Sequence, residues 1–341
     1  MGRPDRVTLD DVACAAGVSR ATASRAITGS GPSSPQVRAR VLAAVDELGF
    51  TPNPAARALA SSKAQAVALV IPEPNSLVLA DPFLTGMITG MSEAFHASDY
   101  QLILVIVRPD DEPAKALRLL RPCHVDGAVI VSHHRSGQLE QAIGDPLVPT
   151  VYVGRPWSLG HPDVMYVDVD NYLGAELATR RMLERGATHI GCVAGPCDMT
   201  PVQDRTEGWR TALHSAGVEP GPIAHAPFTL AGGTDAMRRI LCDNPIGLDG
   251  VFVQSDLMAV GAIQALSEAG LTAGEDVLLV GVDDSEFARS TSPKLTTVTN
   301  PAAELSLRAC RMLLKVIDSG ADPGDLPPEI ITPTLIIRES C

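Results

Sequence analysis

From residue 66 onward, short runs that are apolar at nearly every position alternate with amphipathic helical segments. Strands that are apolar on both faces are covered on both sides, which is typical of parallel sheets built from strand–helix units. The apolar runs are Val67–Ile71, Leu102–Val107, Gly127–Val131, Thr150–Val153, Ile190–Ala194, Val251–Gln254 and Leu278–Val282. The helical segments are Thr85–Phe95, Ala175–Leu183, Met258–Ala269 and Ala303–Ile317. With so many strands, we expect two doubly wound α/β lobes and not one sheet.

Composition indicates a soluble protein that stays inside the cell. The 341 residues exceed what one ordinary core accommodates, and 45% are hydrophobic against 20% charged. No run approaches the roughly 18 apolar residues of a membrane span, and Met1–Asp11 lacks the apolar stretch of a secretion signal. We therefore expect a cytoplasmic location.

The cysteines and histidines do not predict a metal site. Seven scattered cysteines form no C-x-x-C pair, and the adjacent His133 and His134 suit one metal poorly. The sequence favours reduced thiols, with no metal and no cofactor.

Charge is distributed unevenly along the chain. The formal net charge is −13, yet the first 63 residues carry eight Lys or Arg against five Asp or Glu. A slightly basic head on an acidic body indicates that only the head meets phosphates.

Three short helices are predicted before residue 50, and the first two have the features of a helix-turn-helix. Thr8, Ser19 and Ser34 are suitable N-caps. Ala13 is small enough for two helices to approach, and Gly17 permits the turn between them. The second helix would lie in the major groove, although three unrelated small helices could share this pattern. The predicted DNA contacts here combine two arginines, which can read base edges, with short side chains near the phosphates: Thr8, Ser19, Arg20, Ala21, Thr22, Ser24 and Arg25.

Val7–Arg25, Leu48–Asn53 and Ala56–Ala60 together resemble the lactose-repressor (LacI/GalR) family of bacterial regulators. The last of these segments resembles the hinge helix, which in that family pairs with its copy and inserts a leucine into the minor groove. Leu59 matches that leucine, and an apolar wedge of this kind kinks DNA by unstacking a base step. The alternative is an ordinary buried leucine. The resemblance adds Asn53, Ala56 and Leu59 to the predicted DNA contacts.

The resemblance extends over nearly the whole chain, through Arg185–Gly191, Ser255–Ala262, Gly281–Asp284 and Leu335–Ser340. It implies a body like a periplasmic sugar-binding protein, with a ligand in the cleft between two lobes. We expect an all-α helix-turn-helix domain at 1–52, a hinge helix and linker at 53–65, and an effector-binding and dimerisation domain at 66–341. The chain should cross between the lobes near 155–168, 287–297 and 325–333.

The family's cleft positions predict the effector-binding residues. Arg205 and Asp283 would bind adjacent hydroxyls, one donating and the other accepting hydrogen bonds, unless they only pair with each other. Phe83 and Phe228 would pack on an apolar sugar face, or else belong to the core. The full set is Phe83, Leu84, Asp170, Met199, Pro201, Arg205, Phe228, Ser255, Asp256 and Asp283. Because Leu84, Met199 and Pro201 donate no side-chain hydrogen bond, a neutral sugar is favoured over a charged or purine-like effector.

The predicted function is a dimeric DNA-binding transcriptional regulator, a repressor of carbohydrate genes controlled by a small sugar-like effector. An activator or a co-repressor-dependent regulator of the same fold is the alternative. A secreted solute-binding protein is disfavoured by the head. An enzyme is disfavoured because Asp256 and the pair Asp283 and Asp284 come without a His or Cys partner motif, and because no phosphate-binding G-x-x-x-x-G-K is present.

Overall fold

The computed structural model describes residues 7–28, 33–50, 63–96, 98–108, 111–122, 124–135, 147–157, 164–243 and 247–341. The chain divides into two compact units, Met1–Ala64 and Gln65–Cys341, which we call the headpiece and the body. Among the described helices, none has the length and apolar character needed to cross a membrane.

The headpiece contains three described helices: α1 (Leu9–Ala15), α2 (Arg20–Thr28) and α3 (Pro35–Leu48). The predicted caps form: the hydroxyls of Thr8 and Ser34 accept hydrogen bonds from amides in the first turns of α1 and α3, and Gly49 ends α3 in the left-handed conformation. Small and branched side chains form its core: Val12, Ala13, Ala16, Ala23, Ala26, Val41 and Ala44.

The first lobe of the body is built on a six-stranded parallel sheet. Its strands are β1 (Ala66–Ile71), β2 (Gln101–Ile106), β3 (Gly127–Val131), β4 (Thr150–Val153), β5 (Met165–Val169) and β11 (Glu329–Ile331). They are ordered β11-β5-β4-β3-β1-β2, and every described pairing is parallel. The accompanying helices are α4 (Asn75–Ala80), α5 (Pro82–His96), α6 (Pro113–Leu119) and α12 (Ala302–Ser319).

The second lobe repeats this plan. Its strands are β6 (Ile190–Ala194), β7 (Ile223–His225), β8 (Gly250–Val253), β9 (Leu278–Asp283), β10 (Thr296–Thr299) and β12 (Leu335–Ile336), ordered β12-β10-β9-β8-β6-β7. Only β12 runs antiparallel to its described neighbour. The helices are α7 (Asn171–Glu184), α8 (Thr200–Ser215), α9 (Leu230–Asp243), α10 (Asp256–Glu268) and α11 (Glu286–Ser290).

Two doubly wound lobes were expected, and this fold class is confirmed. In each sheet the first strand lies between the second and the third, so the winding direction reverses beside β1 and beside β6. Ligands bind at such reversal points, beyond the carboxyl ends of the strands. The topology therefore predicts one crevice where the carboxyl ends of both sheets meet.

The chain crosses between the lobes after β5, between β10 and α12, and between β11 and β12. The first two crossings, at 169–171 and 299–302, lie later than the predicted 155–168 and 287–297, and the third, at 331–335, overlaps the predicted 325–333. The reason is that β5 and β10 extend each sheet further than the apolar pattern indicated. The sequence of β5 carries the polar Asp168, and β10 reads Thr-Thr-Val-Thr.

Helix α12 packs on the sheet of the first lobe. On α12, the side chains of Leu305, Ala309 and Leu313 are buried against the first sheet. Helix α5 packs so closely on α12 that a Cβ at Gly90 would lie 2.9 Å from Cβ of Ser306. Glycine at this position therefore sets the distance between the two helices.

Candidate functional site

Small residues lie where the two helices of the helix-turn-helix approach each other and turn. Ala13 is 5% exposed, and its carbonyl accepts a hydrogen bond from the amide of Val18 at 3.0 Å. Gly17 makes the turn at φ 63°, a left-handed conformation that favours glycine. Ser19 directly precedes α2, and its hydroxyl oxygen accepts a hydrogen bond from the amide of Thr22 at 3.2 Å.

The outer face of α2 presents the predicted DNA contacts. Arg20, Ala21 and Arg25 are exposed. Arg20 donates to Asp10 at 3.2 Å, with both side chains more than 60% exposed, so this ion pair holds the guanidinium only weakly. Arg25 donates from Nε to the carbonyl of Ala21 at 3.2 Å.

Thr8 has a structural task besides its predicted contact. Its amide and hydroxyl both donate to Oδ2 of Asp11 at 2.7 Å, and the amide of Asp11 donates back to the hydroxyl at 3.3 Å. These bonds lower the pKa of Asp11 and form a reciprocal capping box. The hinge residues Asn53, Ala56 and Leu59 lie outside the described residues.

A cavity of about 670 Å³, including its open mouth, lies between the lobes of the body at the predicted crevice. The predicted residues that line it are Phe83, Leu84, Met199, Pro201, Arg205, Phe228, Ser255 and Asp283. The polar residues that complete the lining are Asp81, Ser132, His133, Asp168, Asn171 and Asn300. Both lobes therefore contribute hydrogen-bonding groups to one cavity.

Arg205 lies in the first half of α8, whose early Pro201 is compatible with a helix start. Its side chain is buried, donating from Nε to Oδ1 of Asn171 at 2.8 Å and from Nη1 to the carbonyl of Gln254 at 2.7 Å. Because these two bonds fix the plane of the guanidinium, Arg205 is oriented before any ligand arrives.

Asp283 ends β9 with an unusual φ of 120°. Its Oδ1 accepts a hydrogen bond from Nδ2 of Asn300 at 2.9 Å. Burial raises the pKa of Asp283 to about 6, although Arg205 and Asn300 oppose the rise. Among the described residues no ion pair within 4.0 Å joins Arg205 to Asp283, so their alternative role as a simple salt bridge is not what the geometry favours.

Two further carboxyl groups make the cavity acidic. Burial, followed by repulsion from Asp283, raises the pKa of Asp81 to about 7, while its Oδ1 accepts from the amide of Phe83 at 2.9 Å. Burial raises the pKa of Asp168 to about 6, against hydrogen bonds from the amides of Arg155 and Val169. The lining therefore holds three carboxyl groups and one guanidinium.

Two predicted effector residues form hydrogen bonds within the protein and are absent from the described cavity lining. The side chain of Asp170 caps α7, accepting from the amide of Leu173 at 2.9 Å. Asp256 is fully buried, and accepts from the hydroxyl of Thr297 at 2.6 Å and from the amide and hydroxyl of Ser285 at 2.8 and 3.0 Å. It fixes the loop after β9 and does not line the cavity. Burial, and then repulsion from Asp283, raise its pKa to about 8.

The residues that sequence reasoning missed follow strand ends. Ser132 comes directly after β3, Asn300 directly after β10, and Asp168 is the second-to-last residue of β5. The rule that ligands meet the carboxyl ends of parallel strands could have found them. Asp81 follows the short helix α4 and precedes Pro82, where no apolar run pointed to it.

Phe228 connects the cavity with both lobes' cores. It follows β7 and packs on buried hydrophobic residues of each lobe. A Cβ at Gly195 would lie 2.2 Å from Cζ of Phe228, so glycine is needed where β6 ends. The ring therefore forms a fixed apolar wall.

Comparison with known proteins identifies the chain. It is 38% identical to the HTH-type transcriptional regulator CelR of Thermobifida fusca over 343 residues, which cover 100% of both chains. The chain belongs to the lacI family. The family model described as bacterial regulatory proteins, lacI family, matches residues 8–53, and that of the periplasmic binding protein-like domain matches residues 179–341. The resemblance found in the sequence is thus confirmed, and this lacI-family protein is a DNA-binding transcriptional regulator.

Other relatives agree with this assignment. The ribose operon repressor of Escherichia coli K12 is 33% identical over 313 residues, covering 90% of this chain and 92% of the relative. A solved CelR–cellobiose complex is 36% identical with a TM-score of 0.77, and covers 99% of this chain and 100% of that one. A lac repressor dimer bound to operator and the anti-inducer ONPF, at 23% identity, shows the same fold with a TM-score of 0.84 over 98% of this chain and 99% of that one. These relatives are transcriptional regulators.

Proposed function

We propose that this lacI-family regulator is a cytoplasmic repressor that binds a pseudo-palindromic operator as a homodimer and releases or retains it according to a neutral sugar in the cleft. Residues 1–52 would contact the major groove, residues 53–65 would form the hinge, and residues 66–341 would bind the effector and dimerise. The chemical composition of the cavity wall is the observation that supports a sugar as the effector.

Sugar hydroxyls both donate and accept hydrogen bonds, and the cavity offers partners of each kind. Arg205 supplies donors, Asp283 and Asp168 supply acceptors, and Phe228 supplies an apolar face.

Charge restricts the class of effector further. Three carboxyl groups against one guanidinium disfavour anionic ligands such as sugar phosphates or uronic acids. Cellobiose is the first ligand to test, because a relative 36% identical to this chain was solved with it. Ribose is the second, because a relative 33% identical is named for the ribose operon.

The decisive experiment is selection of fragmented genomic DNA on the purified protein at moderate salt, with and without cellobiose. We expect a short inverted repeat to be recovered, and its yield to change when cellobiose is added. If no motif is recovered and binding weakens uniformly as salt rises, the headpiece makes only non-specific phosphate contacts.

The variant Asp283→Ala tests effector binding separately from operator binding. It should recover the same inverted repeat with a response to cellobiose weakened at least tenfold, because it loses the acceptor opposite Arg205. The exposed Asp235 of α9 gives the matched control, Asp235→Ala, which should respond as the wild type does. If Asp283→Ala keeps an unaltered response, the assignment of the cleft is wrong.

An enzymatic role is tested in the same samples, since turnover of cellobiose would contradict the sensor function.

A further inference from the structure

The loop before α8 joins the second lobe to the first through one residue. Asp198 lies between β6 and α8, and three donors of the first lobe converge on it. The imidazole of His134 contacts Oδ1 at 2.9 Å, and the amide of Arg135 and the indole of Trp157 each donate to the carbonyl oxygen at 2.8 Å. Three residues of the first lobe, His134, Arg135 and Trp157, thus bind one residue of the second lobe.

His134 is itself anchored in the first lobe. Its Nε2 lies 3.0 Å from Oε1 of Glu73, which is 6% exposed, and the hydroxyl of Ser132 donates to the same oxygen at 2.6 Å. An imidazole between two carboxylates uses both ring nitrogens as donors, which requires the cation. Burial opposes that charge, but the hydrogen bonds to Glu73 and Asp198 outweigh it and raise the pKa of His134 to about 9.

A second connection lies farther along α8. Nη2 of Arg155, in the first lobe, donates to both carboxylate oxygens of Asp204 at 2.7 and 2.8 Å. The hydroxyl of Thr200 donates to the carbonyl of Arg155. Asp204 precedes Arg205, the guanidinium of the cavity, so the same half of α8 carries the contacts to the first lobe and the contact to the ligand.

We propose that the α8 clamp, the bonds of Asp198, Thr200 and Asp204 to the first lobe, couples occupation of the cavity to the arrangement of the lobes, with His134 as its ionic latch. This inference rests on the proposed function, since it describes how a ligand on Arg205 would act. A ligand shifts the lobe equilibrium only by its preference for one arrangement. If the ligand prefers the arrangement in which these bonds form, the bonds add to ligand affinity without touching the ligand.

The position of the latch makes this separable from direct binding. Glu73, His134 and Asp198 are absent from the described lining of the cavity. The charged and titratable groups around the imidazole are Glu73, Asp198, Arg135, which lies over the ring of Trp157, and His133, whose pKa burial lowers to about 4. Since the pKa of His134 is raised to about 9, we expect the latch to lose its charge as the pH passes that value.

The first test is a double-mutant cycle of His134→Gln and Asp198→Asn, read by calorimetric titration with cellobiose at pH 7.5. Each single variant should weaken binding about three- to tenfold, and the double variant should weaken it no further than the stronger single one.

In the wild type, affinity for cellobiose should fall as pH rises from 8 to 10, and in His134→Gln it should stay level. The matched control is Glu268→Gln, which removes an ion pair with Arg238 within the second lobe and should change nothing.

The second test needs no ligand. Hydrogen exchange of peptides that contain the Arg135 amide should be faster in His134→Gln and Asp198→Asn than in the wild type, with exchange in β8 and β9 unchanged. If either variant fails to fold, Trp157→Phe removes the indole bond to Asp198 and takes its place. Unchanged exchange overturns the latch. If wild-type protein does not bind cellobiose while exchange responds as expected, the proposed effector is wrong and the latch stands.

Discussion

At the scale of single residues, Asp81 links the acidity of the cavity to stability. Its pKa in the folded protein is about 7, against an ordinary value of 3.8. Between these values the folded protein holds a proton that the unfolded chain has released, so the contribution of Asp81 to the free energy of unfolding falls as pH rises from 4 to 7. This contribution is greatest below pH 4 and is lost as the pH passes 7.

The variant Asp81→Asn removes this titration while it can still accept the bond from Phe83. Relative to the wild type, its free energy of unfolding should rise across pH 4 to 7 by about 1–2 kcal/mol, less than the full shift implies because solvent in the open cavity screens the charge. Urea unfolding of the body at several pH values measures this difference. Asp235→Asn, on the exposed face of α9, is the control and should give a level difference. A level difference for Asp81→Asn as well would refute the role assigned to its carboxyl.

The residues of the candidate site were only partly accessible to sequence reasoning. Arg205 and Asp283 could be placed because the family resemblance fixes their positions. Asp256 was misplaced because its side chain turns to Ser285 and Thr297, and no local pattern distinguishes a buried acceptor from a ligand-facing one. Asn171 was missed because its role is to orient Arg205 across 34 positions of sequence.

At the scale of elements, helix α1 depends on its cap. A helix of seven residues is short for independent stability, so the reciprocal bonds between Thr8 and Asp11 matter more than they would in a long helix. Thr8→Ala should destabilise the headpiece by about 1 kcal/mol. In calorimetry of the full chain this lowers the headpiece transition by about 4–8 °C and leaves the body transition in place.

The control for this prediction is Cys14→Ala, an exposed position on the same helix that does not take part in the cap. It should move the headpiece transition by no more than about 0.5 kcal/mol. If Thr8→Ala behaved like Cys14→Ala, the capping box would be without consequence for the fold.

Elements with a strong apolar pattern were predictable and very short strands were not. Strands β1, β3 and β6 are apolar throughout and buried at every position, so their type followed from composition alone. Strand β7 has three residues and β12 has two, too few for any periodicity. Their pairing comes from the sheets they extend, which is a tertiary effect.

At the scale of the whole molecule, the two parts of the chain differ in net charge. The head carries a small excess of basic residues and the remainder carries nineteen Lys or Arg against thirty-five Asp or Glu. An acidic body is repelled by DNA, so specific contact is left to the headpiece and hinge. We expect an effect of the cleft on DNA to reach the headpiece through residues 53–65.

Leu59 is where this transmission can be measured. If it wedges into the minor groove, Leu59→Ala should weaken binding to the selected operator at least tenfold, because the unstacked base step loses its apolar partner and the bend is no longer held. Affinity for random-sequence DNA of the same length should change little, since phosphate contacts from the headpiece remain. Cellobiose titration should give the wild-type affinity. Fluorescence anisotropy at fixed salt measures both DNA affinities, and operator binding within twofold of the wild type would mean that Leu59 packs inside the protein.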